Sequence, residues 1–561
     1  MKTLVRFTHS RNRRPASRIA THPNREGAPS YRRSLREQIV QVLTTGTLSN
    51  TFYASREQIA QEAVEVLTRG RQECPQFLAR ALVYARNEGL IKDLPVMGLA
   101  ILSGGGGATR RLFEQAFGQV VLIPDDLRNF VKFCKSGKIP GRQGLGGMTV
   151  GKVRESLLAM SEYHAVKYGS ANSREITLGD IARLAHPKPG SAAVSERLGW
   201  LVKGREALSD NPELNPKIRA LEALKLAATE DEQVALIREG GLPYEVVIPS
   251  VKATTAKIWE ALLRHAPYMN LLRNLNTFAR NGVFRQDENV RYAVSRLTDR
   301  HAIERSKVLP FRFFDAWKAC CASANDSRLT DALRQALELS FANMPTLGSR
   351  QVAIGTDVSG SMRARFSEKS SARYIDIAGI FTGALLKRIE GRALPILFDD
   401  RVHLDHGLSA RDDIVITAEK IARYGGGATA VGAPIQYLLD RQIKVDAFIG
   451  ITDNIDWAYG DGCYASGDFL SLWRRYRKEV NPEAMALLVT IAPYRDTVAP
   501  AGEKGVRFIY GWSDRVLKYI ALSLEQGESQ IQAIERLSLS DLWHPQGQPR
   551  DDDSDNAQME D

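Results

Sequence analysis

Five residues toward the C-terminal end of the chain have types and spacing that suit a hard divalent cation. Asp357, Ser359 and Ser361 form a D-x-S-x-S cluster directly after the apolar run Gln351–Thr356. Asp357 offers a carboxylate and the two serines offer hydroxyls, with Gly360 letting the backbone fold over. Hydroxyls are poor ligands for zinc or iron but suit Mg²⁺ or Mn²⁺, which take oxygen ligands and keep some waters. Gly425-Gly-Gly-Ala-Thr429 adds another hydroxyl on a flexible loop, and Asp453 adds a second carboxylate after the apolar run Val445–Thr452. An N-capping aspartate with turn serines would explain the first cluster but not all three stretches together.

Two carboxylates around Mg²⁺ could in principle activate water against a phosphodiester. A two-metal nuclease wants more carboxylates than this, and the only bases nearby in sequence are His403 and His406. The reading is therefore a metal site without catalysis, and no catalytic residue is assigned.

The elements that must carry these residues alternate. Strands are predicted at 351–356, 393–398, 445–452, 485–491 and 506–510. Helices are predicted between and after them at 374–390, 412–423, 466–478 and 513–524. Such alternation implies a parallel sheet covered on both faces, a doubly wound Rossmann-like α/β domain over about 350–545. Each candidate oxygen then sits at or just past a strand's carboxyl end, where ligands collect in open sheets. The set resembles the metal-ion-dependent adhesion site of von Willebrand factor A domains, whose open metal position accepts a partner's carboxylate.

Residues 34–345 read differently. Helical periodicity runs throughout, with predicted helices at 76–88, 95–103, 109–117, 125–135, 151–167, 177–185, 193–208, 215–227, 231–239, 253–264, 269–280, 287–298 and 328–342. Ser55-Arg-Glu-Gln58 opens another as a capping box, with Gly70 expected to stop it. Many short helices without strands argue an irregular α-solenoid. Met344-Pro-Thr-Leu-Gly348 breaks the pattern and marks the domain boundary. Residues 1–33, rich in arginine and proline, read as a disordered basic arm, and residues 546–561 as a disordered acidic tail.

The net charge of +11 is unevenly spread. Residues 1–350 hold 52 Lys+Arg against 34 Asp+Glu, or +18, and the remainder holds 24 against 31, or −7. That split suggests a polyanion-binding front part. Two long acid-free stretches lie in it. One runs from Val131 to Arg154, with Lys132, Lys135, Lys138 and Arg142 beside Phe130 and Phe133; the other runs from Ala261 to Gln286, with Arg273 and Arg280 seven apart on one helix face. Cations in such runs steer and neutralise phosphates. Gly146-Gly-Met-Thr-Val-Gly-Lys152-Val153 nearly spells a phosphate-binding loop but lacks its final hydroxyl, so nucleotide binding is not expected there. No run of 18 apolar residues predicts a membrane span. The basic N-terminus lacks the apolar segment of a secretory signal, with an organelle transit peptide as the lesser alternative. Five scattered cysteines with no C-x-x-C pair fit neither a zinc site nor a disulfide framework, and suit a reducing cytoplasm.

Several motifs in residues 34–345 are similar, in order, to the TROVE domain of Ro ribonucleoproteins. They are Leu43–Tyr53, Ala81-Leu-Val-Tyr-Ala-Arg-Asn-Glu-Gly89, Asp93-Leu-Pro, Phe130-Val-Lys-Phe-Cys-Lys135, Leu184-Ala-His-Pro-Lys-Pro189, Leu242-Pro-Tyr-Glu and Leu271-Leu-Arg-Asn-Leu275. Asp453-Asn454 and Trp457 resemble the Ro version of the von Willebrand A domain. The resemblance implies a HEAT-like helical ring closed by that domain and acting as a monomer without enzymatic activity. It implies binding of small structured Y-like RNA on the outer surface and of single-stranded 3′ ends of misfolded RNA in the ring's hole, in RNA quality control. The family's RNA-contacting histidine falls on His186, with Lys188 beside it; its upstream basic residues fall near Lys167 and Arg174. The family's metal loop commonly reads Gly-Gly-Thr-Asp, whereas here Thr429 is followed by Ala430, with Pro434 five residues on. Thr429 is kept and the acidic neighbour is lost. A second expectation is a metal-dependent protein-interaction module that recruits an exoribonuclease or another partner. A metal-dependent phosphohydrolase ranks below both.

Overall fold

In a computed structural model the chain is described over residues 21–46, 55–169, 176–323, 326–342, 344–366 and 370–539. Between 34 and 345 every regular element among the described residues is a helix. The Ser55 capping box forms, with the Ser55 side chain accepting from the Gln58 N–H and Gln58 reaching back to the Ser55 N–H. That helix runs past Gly70 to Glu73. Gly70 does not stop it; a Cβ there would crowd Ile39 of the neighbouring helix.

Other differences have equally local causes. The helix predicted over 151–167 is two, Gly147–Ala159 and Glu162–Gly169. Ser161 starts the second, its hydroxyl accepting the His164 N–H. The helix expected over 193–208 ends at Lys203, and Gly204 at φ +71° begins a short 3-10 turn. Tyr244–Ser250, Arg300–Ser306, Pro310–Ala322 and Ala433–Asp440 are helices the sequence reading omits. Pro310 and Pro434 both occupy the first turn of their helices, where a missing N–H is no loss.

Among the described residues nine strands form two sheets. They are β1 (His22–Pro23), β2 (Pro29–Arg32), β3 (Val352–Asp357), β4 (Ala393–Phe398), β5 (Val402–His403), β6 (Ala447–Thr452), β7 (Met485–Thr490), β8 (Asp496–Thr497) and β9 (Val506–Tyr510). The large sheet has the order β5-β4-β3-β6-β7-β9. It is parallel except for β5, a short antiparallel edge strand. All residues of β3 and β6 are buried, as expected for strands covered on both faces. The chain leaves β3 for β4 on one side and later returns to β6 on the other. The switch point therefore falls between β3 and β6, which end in Asp357 and Thr452.

The small sheet corrects one expectation. Residues 1–33 are read from sequence as a disordered arm, but β1 pairs with β2 and β2 pairs with β8 of the α/β domain. Arg33 is buried there and donates to the carbonyls of Tyr494 and Asp496. Proline and arginine content hid the segment because its partner strand lies more than 450 residues away. Residues 1–20 and the proposed acidic tail lie outside the described residues.

The helical part is joined to the α/β domain at both ends. Near its start, Gln41 donates to the carbonyls of Ala492 and Tyr494, Gln530 donates to Tyr84 Oη, and Tyr519 donates to Glu88. Near its end, Glu338 accepts the Ile414 N–H, Arg334 pairs with Asp413, and Phe311 packs edge-on against Phe366. Successive helices touch one another between these seams, so the contacts close on themselves through the α/β domain.

Candidate functional site

The residues expected to hold a cation come together at the carboxyl edge of the sheet. β3 and β6 are paired in register up to Thr356 and Ile451, which sets Asp357 beside Thr452. Thr452 Oγ1 donates to Asp357 Oδ2 at 2.6 Å, and the Ser359 N–H donates to Oδ1 at 2.9 Å. Ser359 and Ser361 lie with their hydroxyls 3.3 Å apart. The Ser361 hydroxyl also interacts with Asp453. The glycine loop closes over this group. The Gly426 N–H donates to the Val358 carbonyl and the Gly360 N–H to the Gly427 carbonyl. A Cβ at Gly425, at φ +75°, would collide with the Val358 carbonyl. The Thr429 carbonyl accepts the N–H groups of Trp457 and Ala458 and so lies on the loop that follows Asp453. Asp357, Ser359, Ser361, Thr429 and Asp453 are all buried.

The electrostatics of this edge fit a cation. Burial pushes the Asp357 carboxyl up to about 6, with the charge of Asp399 adding to it. Burial, then the charge of Asp357, pushes Asp453 up to about 7. Asp456 is raised to about 7 by burial and by Asp468 and Asp357. Carboxylates packed this closely out of water repel one another, and a divalent ion among hydroxyls relieves that repulsion. Among the described residues no three His, Cys, Asp or Glu side chains gather as a metal-holding group, and three of the five candidate ligands at this edge are hydroxyls.

Sequence reasoning missed four residues that shape the site. Asp399 ends the turn after β4; its carboxylate meets His403 Nε2 at 2.9 Å, and its carbonyl accepts the Ala430 N–H. Thr452 orients Asp357. Asn454, at φ +64°, donates its backbone N–H to Thr452 Oγ1 and its amide to Thr490 Oγ1. Asp456 accepts the N–H groups of Val431 and Phe469. The polar residues Asp399-Asp400 at the end of an apolar strand were the one available signal. The two histidines raised as possible bases separate: His403 touches Asp399, while His406 Nε2 lies 3.1 Å from the Pro395 carbonyl.

The second feature is a cavity of about 1720 Å³ between the helical part and the α/β domain. It is larger than the few hundred to about 1,000 Å³ usual for a small-molecule pocket. Eight lysines and arginines line it against four carboxylates (Asp93, Glu162, Glu245 and Asp315), so its wall is net basic. Phe311 and Trp512 mark where it meets the seam.

The cations picked from sequence are dispersed. Arg273 is exposed on the helix Tyr268–Arg280 and lines the cavity, while Arg280 at the end of that helix lies outside its lining. Lys167 also lines the cavity, but it is largely buried, 3.8 Å from Glu245 and near the rings of Tyr163 and Tyr168. Lys132, Lys135 and Lys138 are exposed on or just after the helix Pro124–Lys135. Arg142 instead turns inward and donates to Ser103 Oγ at 3.0 Å, so it serves the fold. His186 is exposed as the left-handed cap of the helix Leu178–Ala185, with Lys188 exposed two residues on. Arg174 lies outside the described residues. The near-match to a phosphate loop opens the helix Gly147–Ala159 with no strand before it.

Comparison with known proteins now bears on both features. The family model of the TROVE domain matches residues 246–348, and that of the Ro60 vWA domain matches residues 351–522. The chain therefore carries a match to the TROVE domain followed by a match to the Ro60 vWA domain. It is 22% identical to the RNA-binding protein RO60 of Caenorhabditis elegans over 85% of this chain and 86% of that protein. The crystal structure of the Deinococcus radiodurans RO (RSR) protein superposes with a TM-score of 0.63 at 22% identity, covering 88% of this chain and all of that one. At that identity the likeness speaks for the Ro fold alone. The TROVE match begins only at residue 246, and the earlier helices are covered by the full-length comparisons alone. Among the described residues no helix is long and apolar enough to cross a membrane.

Proposed function

We propose that this chain is the RNA-binding component of a Ro-type ribonucleoprotein. The observation that carries the reading is the net basic cavity enclosed by the helical part and the α/β domain, in a chain related to a protein named for RNA binding. The opening suits an unpaired strand, whose phosphates meet cations and whose bases can leave the stack, better than a duplex. Single-stranded 3′ ends of misfolded RNA are the substrate class that fits. A small structured Y-like RNA would bind outside, where His186, Lys188 and Lys132 to Lys138 are exposed. The contacts are to backbone phosphate rather than base edges, so affinity falls steeply with salt. No step of catalysis is assigned.

At the sheet edge, Asp357, Ser359, Ser361, Thr429 and Asp453 would hold Mg²⁺ or Mn²⁺. The ion would supply an open coordination position for a carboxylate of a protein partner, such as an exoribonuclease acting on the bound RNA. The electrostatic fit of the buried carboxylates supports this second role. The test is sequencing of RNA that co-purifies with the chain, followed by titration of the recovered RNA. A preparation that carries no RNA and binds none would reject the first role and leave the protein-interaction module.

A further inference from the structure

The N-terminal segment reaches the metal loop. Asn24 is buried, and its Nδ2 donates to the backbone carbonyl of Asp456 at 3.0 Å. Its Oδ1 accepts the N–H groups of Glu26 and Ala28, which closes the turn between β1 and β2. That turn is held in place by the pairing of Tyr31 with Thr497 and Arg32 with Asp496. His22 Nε2 lies 2.7 Å from the Asp496 carboxylate at the same strand.

Asp456 in turn is a junction. Its carboxylate oxygens take the Val431 N–H at 3.0 Å and the Phe469 N–H at 2.9 Å. Val431 follows Thr429 by two residues. The next two residues after Asp456, Trp457 and Ala458, donate their N–H groups to the Thr429 carbonyl. Asp456 therefore ties the Thr429 loop to the loop that begins at Asp453 from both sides. Asn24 is the contact that the N-terminal segment makes with this junction.

We propose that Asn24 and Asp456 are positioning residues of the metal centre, so that the N-terminal segment His22–Arg33 is a working part of a site more than 300 residues away. The inference rests on the metal reading given above. Groups behind first ligands fix their orientation, and their loss commonly weakens metal binding without removing any ligand. Asp456 acts through the Thr429 loop that it ties, and Asn24 acts one step further back through Asp456, so the effects are graded.

The experiment is calorimetric titration of the full chain with Mg²⁺ and with Mn²⁺, alongside the metal-free melting temperature. Asn24→Asp keeps the acceptor that closes the turn and removes the donor to Asp456. It should raise Kd about three- to tenfold, with the metal-free Tm close to wild type. Asp456→Asn should raise Kd about ten- to a hundredfold. His22→Gln, which loosens β1 without touching Asp456, should leave Kd unchanged. Asn24→Ser is a second probe, because its hydroxyl can serve the same turn but is too short to reach Asp456. A folded Asn24→Asp or Asn24→Ser protein with wild-type Kd overturns the proposal while Asp357→Ala still abolishes binding. Failure of both Asn24 variants to fold also overturns it, since the segment would then serve only the fold. An Asp357→Ala protein that binds as tightly as wild type rejects the metal reading itself.

Discussion

The sheet edge and the cavity are opposites in charge, assembly and exposure. The edge gathers carboxylates and hydroxyls out of water, on loops that leave adjacent parallel strands. The cavity gathers cations at a wall drawn from the helical part between residue 86 and residue 312, with Trp512 of the other domain beside them. On the proposed function the edge would be selective, because a few oxygens in fixed places suit one small ion. The cavity would be permissive, because phosphate contacts carry no sequence information. Two ligands of opposite sign can then be held by one chain without competing.

The sharpest way to break that contrast is to remove the edge. Asp357→Ala should weaken Mg²⁺ or Mn²⁺ binding by at least about a hundredfold, more than the loss of any supporting group. RNA affinity should stay within about twofold, since its phosphates meet the other domain. Parallel loss of RNA binding in filter assays would show that the two regions are one site.

A smaller effect is expected inside the cavity. Arg273→Glu should weaken tailed RNA and reduce the slope of log affinity against log salt by roughly 0.7, the value for one single-strand phosphate contact. A structured RNA without a tail should be unaffected. On the outer face, His186→Ala with Lys188→Ala should show the reverse selectivity in gel shifts, reducing the structured RNA and sparing the tail.

The smallest predicted change in binding separates the two kinds of basic residue in the stretch Val131–Arg154. Lys132→Glu with Lys135→Glu should lower affinity for all RNAs alike, with little change in Tm. Arg142→Glu should cost stability of about 1–3 kcal/mol, because it leaves Ser103 and a buried pocket without the guanidinium. Thermal melts of the two variants should therefore separate, and a normal melt for Arg142→Glu would place that side chain at the surface instead.

These differences track what a sequence can show. The edge was legible because its candidate ligands come in short local patterns: Asp357 to Ser361 span one turn, and strand ends are marked by where apolar runs stop. Its supports were not legible, because Asn24 and Asp456 meet only in the fold. The helices were legible from periodicity, although those at Pro310–Ala322 and Ala433–Asp440 were omitted. The basic stretches were visible as composition, but composition cannot show direction. Arg142 points inward, Lys167 faces Glu245, and Arg273 and Arg280 part ways at the cavity rim despite sharing a helix. The N-terminal strands were invisible for the same reason as Asn24: two-residue and four-residue strands gain their identity from the partner they pair with.

The central claim is that an unpaired strand occupies the cavity through phosphate contacts. The most direct measurement is fluorescence anisotropy of one RNA duplex with and without a single-stranded 3′ tail, at two salt concentrations. The account predicts tighter binding of the tailed duplex, with the advantage shrinking at the higher salt and reduced in Arg273→Glu. Equal affinity for blunt and tailed duplexes, unchanged by salt, would contradict it.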